Sequence, residues 1–328
     1  ETPRAPTPAK TINSGQAARI MTGAPMPAGA DAVVMVEHCE AVTETSVRIA
    51  GPIKAGEHVQ PRARDMRRGE TVLSTGTLLR AQEIGLLAIV GRTSVLTHPA
   101  ARVAVLATGD ELVEPNHTPG DGQIRNSNGP MLLAQAAAAG GTPHYLGIGR
   151  DNVSHLWQLI GEGLTHDVLL LSGGVSAGKL DLVPDVFREL GVEAHFHKVR
   201  MKPGKPLFFG TRGDTLVFGL PGNPVSSFVC FELFVRPALH RLRGLAAEPS
   251  SVSLPLAENF RYATDRPTYH PARIESASVG EQVRPVPWSG SPDLRALTAA
   301  NALMLLPPGE HHHRAGETLR VLRLQSSV

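Results

Sequence analysis

Cysteine is nearly absent. Cys39 and Cys230 are the only two in 328 residues, and neither sits at metal-ligand or disulfide-framework spacing. That usage suits a reducing cytoplasm. Aromatic residues make up only 4%, too few for a base-stacking platform for single-stranded nucleic acid. Charge of one sign is also lacking: 32 Lys and Arg against 30 Asp and Glu give +2, so no basic field for nucleic acid is expected. No apolar run reaches the roughly 18–20 residues that span a bilayer, and no charged-then-apolar signal segment opens the chain. These absences exclude nucleic acid and membrane as partners and point to a cytoplasmic protein. What the chain has is glycine (33) and proline (27), concentrated in turn motifs.

The length is more than one core usually organises, and it predicts two to four domains. Residues 1–62 are rich in Gly and Pro with short alternating runs at 32–36 and 46–49, which predicts a small β domain. Residues 63–100 read as an extended bridge, part of a discontinuous N-terminal domain. It has strand-like runs at 70–73 and 77–79 and a short helix over 82–90. From 101 to 247 strands and helices alternate. Strands are expected at 103–107, 144–148, 168–171, 194–199, 207–209 and 216–218. Helices are expected from Asn128 as cap to Ala139, then over 153–164, 182–190 and 225–242. Such alternation predicts an α/β fold, a doubly wound, mostly parallel sheet covered on both faces. Residues 248–328 revert to short strands, a C-terminal β domain.

Ligands of such sheets sit at the carboxyl ends of the strands. Three turn motifs fall on that rim: SGGVSAG at 172–178, KPGKP at 202–206 and GLPGNP at 219–224. Glycine turns let backbone N–H groups approach a phosphate, and lysines add positive charge. Ser172, Gly173, Gly174 and Ser176 are candidate binders from the first motif, although the Gly-Lys-Ser/Thr ending of a P-loop is missing. In the third, Pro221 and Gly222 suit a tight turn, with Asn223 as helix cap and Pro224 as first helical residue. Lysines beside a turn are commonly just solvated, but in KPGKP both Lys202 and Lys205 precede proline and are pushed towards extended angles. Lys198, four residues before Lys202, would share its face on a strand. Acids form the counter-theme: Glu111 after one strand, Asp151 after another, Asp181 after the first glycine motif. If all three converge, each pair at about 4 Å costs on the order of 4 kcal/mol at an effective dielectric near 20. A divalent cation would offset that, and oxygen-only ligands beside phosphate favour Mg²⁺. His311–His313 follow Pro-Pro-Gly and read as an exposed loop. Trp157 and Trp288 read as packing residues.

The three turn motifs, the TGDEL run at 108–112, the NSN run at 126–128 and RIMTGAPMPAGADAVVMVE at 19–37 together resemble the molybdopterin molybdenumtransferase family, which includes MoeA and the E domain of gephyrin. The motifs occur in the family's order across nearly the whole chain. The resemblance implies an elongated multidomain homodimer that works with other molybdenum cofactor biosynthesis proteins. It also implies an activity: with Mg²⁺, molybdenum from molybdate is inserted into adenylylated molybdopterin and AMP is released. Site residues implied by the resemblance are Thr22 in MTGAP, Asp65 in RARDMRRGE, Glu111, Asp151, Asp181, the basic pair Lys198 and Lys202, Arg273 in YHPARI and Ser291 in WSGSPDL. Members also carry an upstream segment with a DGYA-like motif, which this sequence does not contain. Two alternatives remain. A molybdopterin adenylyltransferase would carry the same central motifs, and a receptor-clustering scaffold of the gephyrin type would add a peptide-binding role.

Overall fold

The computed structural model describes residues 11–174, 182–246 and 251–324. Packing divides the chain into two units, Glu1–Gly91 and Arg92–Val328.

The first unit holds little regular structure. Strands β1 (Cys39–Thr43) and β2 (Ser46–Ile49) form an antiparallel hairpin, and helix α1 spans Ala81–Ile89. The α1 start is fixed by a reciprocal pair: the Arg80 N–H and guanidinium both donate to the Glu83 carboxylate at 2.6–3.1 Å. That bonding drags the Glu83 carboxyl down to about 2. Three expected strands do not form. At 32–36 the Val33 N–H donates to the Glu57 carbonyl, a single long-range bond that makes no ladder, and the Met35 and Val36 carbonyls accept within the short 3₁₀ turn at Val36–His38. At 70–73 and 77–79 the chain closes local turns instead. Glu70 accepts from the Arg67 N–H at 3.0 Å and the Thr77 hydroxyl donates to the Ser74 carbonyl at 2.7 Å, side-chain bonds that compete with strand pairing.

The second unit opens with β3 (Arg102–Thr108). The short pair β4 (Leu112–Val113) and β5 (Ile124–Arg125) follows, then α2 (Asn128–Ala138), β6 (Thr142–Gly149), α3 (Val153–Gly163), β7 (Val168–Ser172) and α4 (Val183–Glu189). An antiparallel run β8 (Glu193–His197), β9 (Phe208–Arg212) and β10 (Thr215–Leu220) completes a six-stranded sheet in the order β6-β3-β7-β10-β9-β8. The β6, β3, β7 and β10 strands are parallel, as the alternation predicts; β9 and β8 fold back antiparallel at one edge. Burial on both faces explains the unbroken apolar strands. Val103 and Val105 face one core with Leu132 of α2, while Ala104 and Leu106 face the other with Leu156 and Ile160 of α3.

The helix expected over 225–242 is realised as α5 (Pro224–Cys230), a π-helical turn at Phe231–Val235 and α6 (Arg236–Leu242). Around that turn Arg236 donates to Glu232 at 2.7 and 2.9 Å, and the Gln135 amide donates to Glu232 at 2.8 Å, all in the interior.

The remainder folds as antiparallel β structure: β11 (Ser251–Pro255), β12 (Phe260–Thr264), β13 (Thr268–Ser276), β14 (Glu281–Pro285), helix α7 (Leu294–Ala299), β15 (Ala302–Leu306), β16 (Gly309–His313) and β17 (Thr318–Arg323). Five of these strands pair as β11-β17-β15-β13-β14, and β12 pairs with β16. The exposed loop expected for His311–His313 is thus corrected to a strand. Tyr262 faces His311 across the ladder and its ring stacks on both His311 and His313, at 5.2 and 5.7 Å between centroids. Period-two alternation puts His311 and His313 on one face and His312 on the other.

Candidate functional site

The carboxyl ends of β3, β7 and β10 open into a cavity of about 960 Å³ that also takes walls from KPGKP and from residues 266, 288, 291 and 292. Each wall is held by contacts that the local sequence makes possible.

At the base, β3 ends in buried Thr108 and β7 ends in Ser172, followed by Gly173. Gly173 has φ +93°, its N–H donates to the Leu220 carbonyl at 3.1 Å, and a Cβ there would lie 2.5 Å from the Thr108 carbonyl oxygen. No side chain can occupy that position, which is why the turn closes against the β3 end. Gly174 lines the cavity beside it.

Glu111 and Asp151 both line the cavity. The Asp151 N–H donates to Asp110 Oδ1 at 3.1 Å, so Asp110 holds the Asp151 backbone. Arg150 donates one guanidinium nitrogen to the carbonyls of Gly109, Asp110 and Leu112 at 3.0–3.4 Å and straps the TGDEL loop to the end of β6. Asp181 and Ser176 lie outside the described residues. Among the described residues no group of three or more His, Cys, Asp or Glu side chains is arranged to hold a metal ion. The two carboxylates Glu111 and Asp151 do supply the hard oxygen donors that Mg²⁺ takes, in one cavity.

KPGKP forms a second wall. The Lys202 N–H donates to the Pro267 carbonyl, and the Tyr269 N–H to the Lys202 carbonyl, both at 2.8 Å, so the turn is bonded into the C-terminal β structure. Its middle is buried while Lys202 and Lys205 remain exposed on the cavity wall. The expectation for Lys198 is corrected. The β8 strand stops at His197, Lys198 takes φ +101°, and the even-spacing argument that aligned it with Lys202 on one strand face no longer applies. Lys198 is exposed and does not line the cavity; Lys205 does.

Pro221, Gly222, Asn223 and Pro224 line a third wall. Asn223 is the cap position of α5 with Pro224 as its first residue, as the sequence predicts, but the Asn223 side chain does not cap. Its amide donates instead to the Ser291 hydroxyl at 3.0 Å, and the Val225 N–H donates to the Ser291 carbonyl at 3.1 Å. Ser291 is thereby fixed at the cavity by residues far away in sequence. Its loop is shaped by Asp293, which accepts from the Ser289 N–H and hydroxyl and caps α7; these bonds hold the Asp293 carboxyl below its ordinary range.

Arg273 is not on the lining. It is exposed on β13 and donates to the Ala299 carbonyl at 3.3 Å. The cation that β structure brings to the cavity is Arg266, in the β12–β13 turn; Thr-Asp-Arg-Pro is a turn signal, but nothing local says which way the turn faces. With Arg125, the described lining carries four cations against the two carboxylates, an excess suited to an anionic ligand. Thr22, exposed in a turn, and Asp65, which accepts from the Gln60 amide at 2.7 Å, belong to the first unit and not to this lining.

Sequence reasoning also misassigned the NSN run. The acceptor for the α2 start is Asn126, whose Oδ1 receives the Gly129 N–H at 2.9 Å, while Asn128 is already helical and turns its side chain to the cavity. Asn126 in turn donates to the Tyr145 hydroxyl, which donates to Glu114, both at 2.8 Å; burial, then Glu114, pushes the Tyr145 phenol well up. Trp288 packs against the core as expected and also lines the cavity, where its indole N–H has no partner among the described residues; Trp157 is half exposed.

Three family models match the chain. One described as MoeA N-terminal region (domain I and II) covers residues 2–91, one described as "Probable molybdopterin binding domain" covers 104–241, and one described as MoeA C-terminal region (domain IV) covers 253–324. A curated molybdopterin molybdenumtransferase from Staphylococcus aureus (strain Mu50 / ATCC 700699) is 34% identical over 321 residues, 97% of this chain and 76% of its own. Its counterpart in Staphylococcus epidermidis (strain ATCC 12228 / FDA PCI 1200) is 34% identical over 320 residues with the same coverage. The crystal structure of a molybdopterin biosynthesis MoeA protein from Pyrococcus horikoshii superposes with a TM-score of 0.77 at 30% identity, over 97% of this chain and 78% of that one. The order of motifs, the cation-rich cavity at the sheet rim and these matches agree: the chain belongs to the molybdopterin molybdenumtransferase family.

Proposed function

We infer that the protein acts in molybdenum cofactor biosynthesis and inserts molybdenum into molybdopterin. One observation carries the reading. In a chain 34% identical to a molybdopterin molybdenumtransferase over 97% of its length, the glycine and lysine motifs converge with Ser291 on one cavity with excess positive charge.

The finer reading is that the substrates are adenylylated molybdopterin and molybdate, and that AMP leaves. Molybdate is a dianion and the pterin carries phosphates, so their approach in water is uphill. Lys202, Lys205 and Arg266 lower that repulsion as an electrostatic clamp. The turn residues Ser172, Gly173, Gly174, Pro221, Gly222, Asn223 and Pro224 present backbone and hydroxyl groups to the phosphates, with Ser176 of the same motif as a further contact. Ser291 offers a hydroxyl to the oxyanion. Mg²⁺ held by Glu111 and Asp151, with Asp181 as third ligand, would neutralise charge at the pyrophosphate. Lys198 and Arg273 act on this scheme only as outer cations, since neither lines the cavity. Thr22 and Asp65 are proposed to serve the same reaction on the strength of the family resemblance.

A homodimer is supported by apolar side chains left exposed in the first unit, among them Met21, Val36 and Ile89, each about 70% exposed. Light scattering at twice the monomer mass is the expected result. Two free cysteines accord with a cytoplasmic enzyme, and among the described residues no helix is long and apolar enough to cross a membrane. Partners would then be other molybdenum cofactor biosynthesis proteins. The adenylyltransferase alternative is not favoured, because Arg266, Trp288 and Ser291 of the cavity lie beyond the central module. Nothing described favours a scaffold.

Purified protein given adenylylated molybdopterin and Mg²⁺ should release AMP when molybdate is added. AMP released at the same rate without molybdate would overturn the coupling.

A further inference from the structure

Asn128 is 8% exposed and lines the cavity, and the geometry of its amide is forced. Its Nδ2 donates to the Gly222 carbonyl at 2.7 Å and to the Ser172 hydroxyl at 2.8 Å. A backbone carbonyl can only accept, so the amide nitrogen must face Gly222; flipping the group would set two acceptors against each other. Both amide hydrogens are therefore used. Oδ1 is left buried with no hydrogen-bond partner among the described residues. An unsatisfied buried carbonyl costs about 1–3 kcal/mol, and Asn128 keeps one at the wall of a ligand cavity.

We propose that Asn128 is a specificity-determining residue whose Oδ1 accepts a hydrogen bond from a neutral N–H or O–H of the substrate. This rests on the reading of the cavity as the site for an adenylylated pterin. The polarity selects the ligand group. A carbonyl oxygen repels phosphate and molybdate oxygens, which carry no proton to offer, whereas the glycine turns and the lysines already serve the anionic part. The orphan acceptor is left to read a part of the ligand that donates: the amino group of a ring, or the ribose 2′-hydroxyl. Ser172 and Gly222 belong to the first and third turn motifs, so Asn128 also fixes the oxygen in register with both phosphate-facing turns.

Isothermal titration calorimetry on the full chain tests this with AMP and pterin as parent probes. Each is paired with an analogue lacking one donor group: purine riboside 5′-monophosphate and 2′-deoxy-AMP for AMP, and pteridin-4-one, in which hydrogen replaces the amino group, for pterin. Wild-type protein should bind one analogue roughly 5- to 100-fold more weakly than its parent, which identifies whether ring or ribose donates. In Asn128→Ala that ratio should collapse towards one while the affinity for the other pairs changes in parallel. Asn128→Ser, which retains a short hydroxyl for Gly222, should give the same loss if the alanine variant does not fold. Wild-type protein that binds the parents but discriminates against no analogue overturns the proposal alone. Discrimination that persists in both variants overturns it too. Failure of AMP and pterin to bind at all removes the cavity reading and this proposal with it.

Discussion

Replacing Gly204 by alanine should destabilise the second unit through two separable causes. Gly204 lies between the lysines of KPGKP at φ +107°, and a Cβ there would fall 2.5 Å from Cys230 Sγ and 3.3 Å from Met201 Cε. Cys230 is wholly buried on α5 within the core and cannot yield; burial also pushes its thiol pKa well up, so the sulfur stays a neutral packing atom. Backbone strain for an L residue in the left-handed region adds ~1–2 kcal/mol and the overlap ~1–3 kcal/mol, so the total is about 2–5 kcal/mol. Cys230→Ala removes the sulfur that the new methyl would strike. In that background Gly204→Ala should cost only the strain, ~1–2 kcal/mol. Urea unfolding followed by tryptophan fluorescence measures this cleanly, because Trp157 and Trp288 both lie in the second unit. AMP affinity should fall alongside, since the turn carries Lys202 and Lys205. An equal cost of Gly204→Ala in both backgrounds would refute the close-packing argument.

Lys202→Ala and Lys205→Ala should each weaken AMP binding by roughly 5- to 30-fold. A charge several ångströms from a phosphate at an exposed wall is worth about 1–2 kcal/mol after solvent screening, and the loss should shrink as salt is raised in the titration. Glu232→Ala should lower stability by about 3–5 kcal/mol in the same urea assay, because it removes the buried carboxylate that faces the Arg236 guanidinium and accepts from the Gln135 amide. His270 carries a pH dependence. Burial lowers its pKa below the ordinary 6.5, partly countered by its bond to the Pro271 carbonyl, with Lys202 adding to the lowering. An unfolded histidine gains its proton near 6.5 and the folded one only at lower pH, so this contribution is complete above 6.5 and lost as pH falls through the folded value. Thermal midpoints should drop between pH 7 and 5, and more shallowly in His270→Gln; identical slopes would refute the assignment.

Much of the site was legible because its elements are local. Apolar strands that run into Gly-rich turns, then into helices, specify parallel pairing and a common rim, so Ser172, Gly173, Glu111 and Gly222 are placed together by sequence, while the convergence of Asp151 with Glu111 is seen only in the fold. Three placements were not legible. Lys198 and Asn128 are read from neighbours in sequence and Arg273 from the family resemblance, and the place of each is decided by a partner far along the chain. Lys198 leaves the strand as β8 bends into the turn that bonds to Pro267 and Tyr269. Arg273 faces Ala299, 26 residues on, and leaves the cavity wall to Arg266. The histidine run looked like a loop because Pro-Pro-Gly precedes it. The pairing that makes it a strand comes from residues 260–264, about fifty positions earlier.

The sequence by itself determined the α/β alternation, the order of turns, the positions of the glycines and the family. The first three follow from periodicity and backbone preference within a few residues; the family follows from the resemblance of the motifs and their order along the chain. Only the fold settles which cations line the cavity, how Ser291 is held by Asn223, and that the Asn128 oxygen has no partner among the described residues. A side chain's direction is set by whichever distant group completes its hydrogen bonds and packing, and for Asn128 those groups lie 44 and 94 residues away. The glycine turns of the three motifs are the sequence's contribution to the cavity; the chemistry read between them belongs to the fold.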